Sequence, residues 1–372
     1  MKINYICNDC DKTYDSNTLV FQCECGGMLD LEEFDISLSV NNLLKNENSL
    51  FKYLGALPFD KDSTFWKDIS MGEGLTPIIR FDIDNPNLLV KVDYLMPTLS
   101  FKDRGAVMLI AKAKEIGINK VVQDSSGNGG SSVAAYASRA GMECDIYVPD
   151  NTSPKKIKQI SSYGANVHVV AGSREDTAKA AIAVAKEGNS FYASHVYNPF
   201  FYQGTKTYVY EIYEQLGGEM PEALVIPLGN GTLVLGAYYG LKDLLKLGLI
   251  TELPKIIAVQ SQNCAPIYKA FKDGEDSVIE VSNTGTLAEG IAIADPKRGK
   301  QVLKAIRETK GDIILSPEEE ITNVMELLAH KGFYVEPTTA ATFAGYFKYI
   351  NNSSNPIKGK VVIPLCGSGL KS

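Results

Sequence analysis

The strongest constraint on this chain is an alternation that begins near residue 87. Short apolar segments recur at Asn87–Val92, Lys120–Gln123, Glu143–Val148, Asn166–Val170, Ala223–Pro227, Lys255–Gln260 and Lys360–Pro364. Between several of them lie Ala-rich or amphipathic stretches: Ser131–Ala140, Thr177–Lys186, Lys206–Leu216 and Leu233–Leu247. Apolar strands alternating with helix-length segments predict an α/β fold with parallel sheets covered on both faces. A chain of 372 residues is too long for one average domain and suits two.

A different signal precedes the alternation. Cys7-Asn-Asp-Cys10 is followed, after twelve residues, by Cys23-Glu-Cys25-Gly26-Gly27. Two close thiolate pairs can complete a tetrahedral zinc site, and the two glycines would let the backbone turn back toward a metal. A knuckle that packs without metal is the alternative. In either case the role is structural, because four protein ligands leave no open coordination position. The remaining cysteines, Cys144, Cys264 and Cys366, are scattered, a pattern that favours isolated thiols over disulfides.

Charge and hydropathy exclude some partners. The formal net charge is −7 with no long basic run, which argues against nucleic acid. No apolar run reaches membrane-spanning length, and MKINYICNDC has no apolar signal core, so a cytoplasmic protein without a membrane partner is expected. The three histidines, His168, His195 and His330, leave little room for a multi-histidine metal centre.

Three Gly-rich turns each follow an apolar strand: Asp124-Ser-Ser-Gly-Asn-Gly-Gly-Ser-Ser132, Leu228-Gly-Asn-Gly-Thr232 and Cys366-Gly-Ser-Gly369. Such turns let backbone amides approach an anion, and a following helix N-terminus adds donors and a favourable dipole. Glycine turns also serve purely steric ends in α/β proteins. Leu228–Thr232 is the best anion cradle, since the Thr232 hydroxyl can bond a phosphoryl oxygen. It is not a nucleotide P-loop, because no Lys-Ser/Thr pair follows.

The stretch PTLSFKDRGA, Pro97 to Ala106, has one local reading and one chemical one. Ser100-Phe-Lys-Asp103 has the form of a capping box, which makes Lys102 an exposed charge at a helix start. A lysine desolvated beside Phe101 becomes a nucleophile. A reactive lysine together with a phosphate cradle suggests pyridoxal 5'-phosphate, which needs an amine, amides for its phosphate and a partner for its ring nitrogen.

At this point the sequence resembles the fold-type II pyridoxal-phosphate enzymes, and among them the threonine synthases. The resemblance runs nearly end to end. It is carried by the Cys-rich start, Gly72-Glu-Gly-Leu-Thr-Pro77, PTLSFKDRGA, SSGNGGSSVAAYASRAGM, Asn198-Pro199 with Gly204-Thr-Lys-Thr207, PLGNGT, AVQSQNCAPIYKAF, Glu336-Pro-Thr-Thr-Ala340 and Gly367-Ser-Gly-Leu-Lys371. It implies that Lys102 is the cofactor-linking amine and later moves protons. It implies that Asn128 bonds the cofactor's ring oxygen, that Gly229, Asn230, Gly231 and Thr232 hold the phosphate, and that Cys366 faces the pyridine nitrogen. Ser125, Ser126 and Gly127 would hold the substrate carboxylate.

The sequence departs from the threonine-synthase pattern at substrate positions. Phe201 stands where the family pattern usually has Arg, and Gly129 where it often has Thr, both phosphate contacts. Thr286-Leu-Ala-Glu-Gly-Ile-Ala-Ile293 is more like serine/threonine dehydratases, as is a cysteine at 366. Met96 and Leu99 also replace the usual Asn and Gly.

The expected architecture is two open parallel-sheet domains with the cofactor in the cleft (a tryptophan synthase beta-like fold), prefaced by a small zinc-ribbon-like unit. The expected boundaries are 1–40 for the Cys-rich unit, 41–110 with 206–372 for the large domain, and 111–205 for the small one. The expected activity is elimination or replacement at Cβ or Cγ of a small amino acid. Threonine-synthase chemistry on O-phosphohomoserine comes first; a dehydratase or β-replacement synthase on an unphosphorylated amino acid is the runner-up. A catalytically silent pyridoxal-phosphate-binding regulator is disfavoured by the joint presence of Lys102, Asn128 and the Gly229–Thr232 turn. A homodimer is implied by the resemblance.

Overall fold

The computed structural model describes residues 3–38, 43–172, 174–352 and 357–371. Its strands, in chain order, are β1 (Asn4–Cys7), β2 (Thr13–Asp15), β3 (Leu29–Leu31), β4 (Ile78–Arg80), β5 (Leu88–Lys91), β6 (Lys120–Gln123) and β7 (Glu143–Pro149). They continue as β8 (Asn166–Val170), β9 (Phe191–Tyr192), β10 (Ala223–Pro227), β11 (Lys255–Ser261), β12 (Asp312–Ser316) and β13 (Val361–Pro364). The helices that matter below are α1 (Lys102–Glu115), α2 (Asn128–Arg139), α3 (Pro154–Ser162), α4 (Arg174–Lys186), α5 (Phe200–Thr205), α6 (Thr207–Gln215) and α7 (Thr232–Lys246). The chain divides into two compact units, Met1–Gly74 with Lys102–Gly204, and Leu75–Phe101 with Thr205–Ser372.

In the first unit, β1 to β3 form an antiparallel sheet in the order β2-β1-β3 and carry the Cys-rich segment. A second, fully parallel sheet runs β8-β7-β6-β9. Both α2 and α4 pack on β6 and β7. The edge strand β8 is mostly exposed, whereas Val121, Val122, Ile146 and Val148 in the two inner strands are fully buried. The unit's core includes Tyr5, Phe51, Trp66, Met108, Phe200 and Phe201. Phe51 stacks on Trp66 with ring centroids 4.5 Å apart, and Tyr5 meets Phe200 edge-on at 6.2 Å.

In the second unit the strand order is β12-β11-β10-β13-β5-β4, parallel except for β4, which pairs antiparallel with β5. Strands β5, β10 and β13 are buried along their whole length. That is why each reads as a continuous apolar run rather than an alternating one. Lys91, at the end of β5, is the exception: it is fully buried, and its Nζ lies 2.6 Å from Glu211 Oε2 on α6, also fully buried.

The seven strands expected from the sequence are β5, β6, β7, β8, β10, β11 and β13, each within a residue or two of its expected ends. Strand β9 has two residues and escapes any periodicity argument. Helix α2 starts at Asn128, three residues before its expected start, because the glycines of the turn are themselves helical. No helix among the described residues is long and apolar enough to cross a membrane.

Candidate active site

Lys102 is the first residue of α1, but not through the expected capping box. The Ser100 hydroxyl is buried with no hydrogen-bond partner among the described residues, and Asp103 accepts a hydrogen bond from Ser132 on α2. The physical reason lies in the preceding backbone. Ser100 bridges antiparallel to Gly367, the Phe101 N–H donates to Cys366 O at 2.9 Å, and the Ser368 N–H donates to Leu99 O at 3.1 Å. Lys371 Nζ donates to Thr98 O at 2.6 Å. Residues 98–101 are therefore tied to residues 366–371, with Leu99 at φ +62°, and this long-range pairing sets the entry to α1 in place of a local cap.

Within the first unit, Lys102 Nζ lies 5.6 Å from the centre of the Phe201 ring. One turn along α1, a Cβ on Gly105 would fall 2.4 Å from the same ring, so glycine is what lets Phe201 lie against the helix backbone. Phe201 is fully buried. It is placed by a braced turn: Asn198 N–H donates to Ser194 O at 3.0 Å, Phe200 N–H to Asn198 Oδ1 at 3.0 Å, and Phe201 N–H to Asn198 O at 3.2 Å.

The same turn carries His195, whose ring centre is 5.7 Å from that of Phe201. His195 is buried and its Nδ1 has no hydrogen-bond partner among the described residues. Burial pushes its pKa well below the usual imidazole value, and the positive charges of Lys102 and Arg174 push in the same direction. The ring is therefore neutral.

The Ser125–Gly129 turn completes this cluster. Ser125 is buried, while Ser126, Gly127 and Asn128 are half-buried at the entry to α2. A Cβ on Gly129 would sit 3.0 Å from Ser125 Oγ and 3.3 Å from His195 Nδ1; one on Gly130 would strike Ser125 O at 1.8 Å. Lys102, Phe201, His195, Gly129 and Ser125 are thus linked contact by contact. Behind them, Glu73 of the Gly72–Pro77 motif is buried and accepts from Met71 N–H, Ser70 Oγ and the Tyr136 hydroxyl of α2, each at 2.9 Å. Burial pushes the Glu73 carboxyl up to about 7.

The second unit holds the other expected cofactor residues. A Cβ on Gly229 would lie 2.6 Å from Gly290 O, and Gly231 has φ +79° with Val302 Cγ2 2.3 Å from where its Cβ would be. Both positions demand glycine. Asn230 is half-buried between them, and Thr232 opens α7, fifteen residues long. Thr205 Oγ1 donates to Thr232 O at 3.0 Å, fixing that first turn. The dehydratase-like segment Thr286–Ile293 lies against this turn, with Gly290 N–H donating to Thr338 Oγ1 at 3.2 Å. Cys366 is buried, and its N–H donates to Thr339 Oγ1 at 3.2 Å.

The four N-terminal cysteines converge. The Sγ atoms of Cys7, Cys10, Cys23 and Cys25 all lie within 4.8 Å of one another, with Cys7–Cys25 and Cys10–Cys23 each at 3.6 Å. A tetrahedral zinc with Zn–S of about 2.3 Å sets its sulfurs about 3.8 Å apart, so the set fits that ion. The Asp9 and Gly27 N–H groups donate to Cys7 Sγ and Cys25 Sγ, each at 3.4 Å. A Cβ on Gly27 would fall 2.6 Å from Cys7 Sγ, which accounts for the second glycine of the pair.

The motif reading of the sequence does not single out His195, in the lysine cluster, or Glu73, bonded to Tyr136 of α2. The available signal was position: His195 is three residues before Asn198, and Glu73 lies inside a motif already recognised.

The family described as "Pyridoxal-phosphate dependent enzyme" matches residues 69–367. A threonine synthase of Methanocaldococcus jannaschii is 34% identical, over 98% of this chain and 92% of the relative. A threonine synthase of Methanosarcina acetivorans is 31% identical, over 93% of this chain and 86% of the relative. The solved structure of maize serine racemase is similar with a TM-score of 0.67 at 22% identity, covering 80% of this chain and 88% of the racemase; that likeness speaks for the fold alone.

Proposed function

The chain belongs to the pyridoxal-phosphate dependent enzyme family and has threonine synthases among its relatives, and on that premise we propose that it eliminates or replaces a group at Cβ or Cγ of a small amino acid. The observation that carries this reading is Lys102 at the head of α1, its Nζ 5.6 Å from the buried Phe201 ring. The ring covers one side of a half-buried amine, and an amine is the nucleophile that covalent attachment of a carbonyl cofactor requires.

Pyridoxal phosphate, when bound, supplies an electron sink for charge developing at the substrate's Cα. The residues present fit it. Lys102 would hold the cofactor through its amine and would serve as the base for the substrate's Cα proton. The glycine-only turn at Gly229–Thr232 and the N–H groups opening α7 suit its phosphate. Asn128 is assigned to the ring oxygen, and Ser125, Ser126 and Gly127 to the substrate carboxylate. Cys366 is assigned to the ring nitrogen, where a neutral thiol stabilises a protonated ring less than a carboxylate does. One structural zinc is assigned to Cys7, Cys10, Cys23 and Cys25.

The likeness to threonine synthases supports elimination and replacement at Cγ. A second reading, dehydration or β-replacement of an unphosphorylated amino acid, is favoured by Phe201 and Gly129. A phosphate dianion is ordinarily held by a bidentate cation, and these two positions present hydrocarbon and a bare Cα. Parallel assays of phosphate release from O-phosphohomoserine and of 2-oxo acid formation from a panel of amino acids test both readings. Efficient threonine formation from the phosphate ester selects the first; 2-oxo acid from a hydroxy amino acid selects the second.

A further inference from the structure

Within the lysine cluster, one buried polar atom has no use in the fold. His195 is 8% exposed, and its Nδ1 has no hydrogen-bond partner among the described residues, Ser125 included. Buried polar atoms are nearly always satisfied, and an exception in a native structure calls for an explanation.

The direction of that atom supplies one. Nδ1 lies 3.3 Å from the point where a Cβ on Gly129 would stand, in the first turn of the twelve-residue helix α2. Ser125 Oγ faces the same point from 3.0 Å. A side chain at 129 would crowd both atoms, and glycine avoids that. Phe201 lies beside the imidazole, and the Lys102 ammonium lies over the same Phe201 ring.

We infer that His195 is a specificity-determining residue of the Lys102 site, its Nδ1 placed to hydrogen-bond an uncharged hydroxyl on the side chain of the amino-acid substrate. This rests on the proposed assignment of Lys102 as the cofactor-binding amine and names the substrate class for it: a β- or γ-hydroxy amino acid. A hydroxyl both donates and accepts, so it satisfies Nδ1 in either tautomer. A phosphate dianion only accepts, and in a buried site its charge needs fixed cations. A neutral imidazole beside a phenyl ring offers no charge of its own; the cations that act on it are Lys102, assigned to the cofactor, and Arg174 on α4. Gly129 belongs to the same device, because a side chain there would close the approach to Nδ1.

The test is a binding titration of the cofactor-loaded protein, read from the change in cofactor absorbance rather than from turnover. L-Serine, L-threonine and L-homoserine are compared with L-alanine and O-phospho-L-homoserine. The expected result is that at least one hydroxy amino acid binds about tenfold or more tighter than both comparators, equivalent to about 1.4 kcal/mol. His195→Phe is expected to erase that advantage while leaving L-alanine within about twofold, and His195→Gln to restore part of it. Gly129→Ala, which sets a methyl 3.3 Å from Nδ1, is expected to act like His195→Phe and serves if that variant does not fold. Equal weakening of L-alanine and the hydroxy amino acids overturns the inference, as does tightest binding of the phosphate ester. A wild-type protein that takes up no pyridoxal phosphate overturns the assignment of Lys102 instead.

Discussion

Lys102 Nζ and the Phe201 ring face each other at 5.6 Å, and the contact exists because Gly105 has no side chain. Three features of the sequence that look unrelated, the lysine, the second aromatic after Asn198-Pro199 and the glycine of the DRGA run, are one packing unit. His195 packs against the same ring, 5.7 Å between centres, so the aromatic joins the lysine and the imidazole.

Gly105→Ala tests this packing unit. A methyl placed 2.4 Å from the Phe201 ring must displace it, and overpacking of this kind costs about 1–3 kcal/mol. Denaturant unfolding should give a lower midpoint with an unchanged slope. A variant as stable as the wild type would show that the ring has room to move.

Glu73 should leave a pH signature in stability. Its carboxyl is raised from the usual 4.5 to about 7 in the folded protein, with burial as the main cause. Below pH 4.5 both folded and unfolded states are protonated there, and the group has no effect. As pH rises through that value the unfolded chain ionises first, so stability falls until the folded carboxyl ionises near 7. The loss is on the order of 3 kcal/mol between pH 5 and pH 8. Melting temperatures of wild type and Glu73→Gln should diverge over that interval, the variant falling less; parallel curves contradict the assignment.

The buried pair Lys91–Glu211 predicts a double-mutant result. Lys91 also donates to Thr76 O and, at 3.1 Å, to Gln215 Oε1, so the ammonium is fully engaged. Lys91→Met or Glu211→Gln alone strands the partner in the core and should cost about 3–5 kcal/mol. Lys91→Met combined with Glu211→Gln should cost less than the two single losses added together. A double variant no better than the sum of the two single ones contradicts a direct coupling.

How much of this was legible beforehand follows from what each residue answers to. Buried parallel strands such as Ala223–Pro227 and Val361–Pro364 announce themselves, because burial on both faces leaves no polar position. The start of α2 was set too late, since Asn128-Gly129-Gly130 is poor helix sequence; the close approach of Ser125 O overrides propensity. The capping box at Ser100 failed for a similar reason: the pairing with Gly367 comes from residues 267 positions away, which no local pattern can report. For His195 the sequence offers only its place three residues before Asn198, which carries no chemistry by itself. Its meaning comes from what Gly129 and Phe201 leave open.

The thiol cluster predicts a metal stoichiometry. Protein prepared anaerobically should carry one zinc per chain, and Cys10→Ser or Cys23→Ser should lower the occupancy severalfold. Metal analysis of the wild type showing no zinc after such preparation contradicts the assignment.

The central claim is that Lys102 carries the cofactor. The most direct measurement is borohydride reduction of the cofactor-loaded protein, followed by mass analysis of its peptides. The account predicts a pyridoxyl-phosphate mass added at Lys102, and no reducible linkage in Lys102→Ala. A label on another lysine, or a linkage that survives in Lys102→Ala, contradicts it.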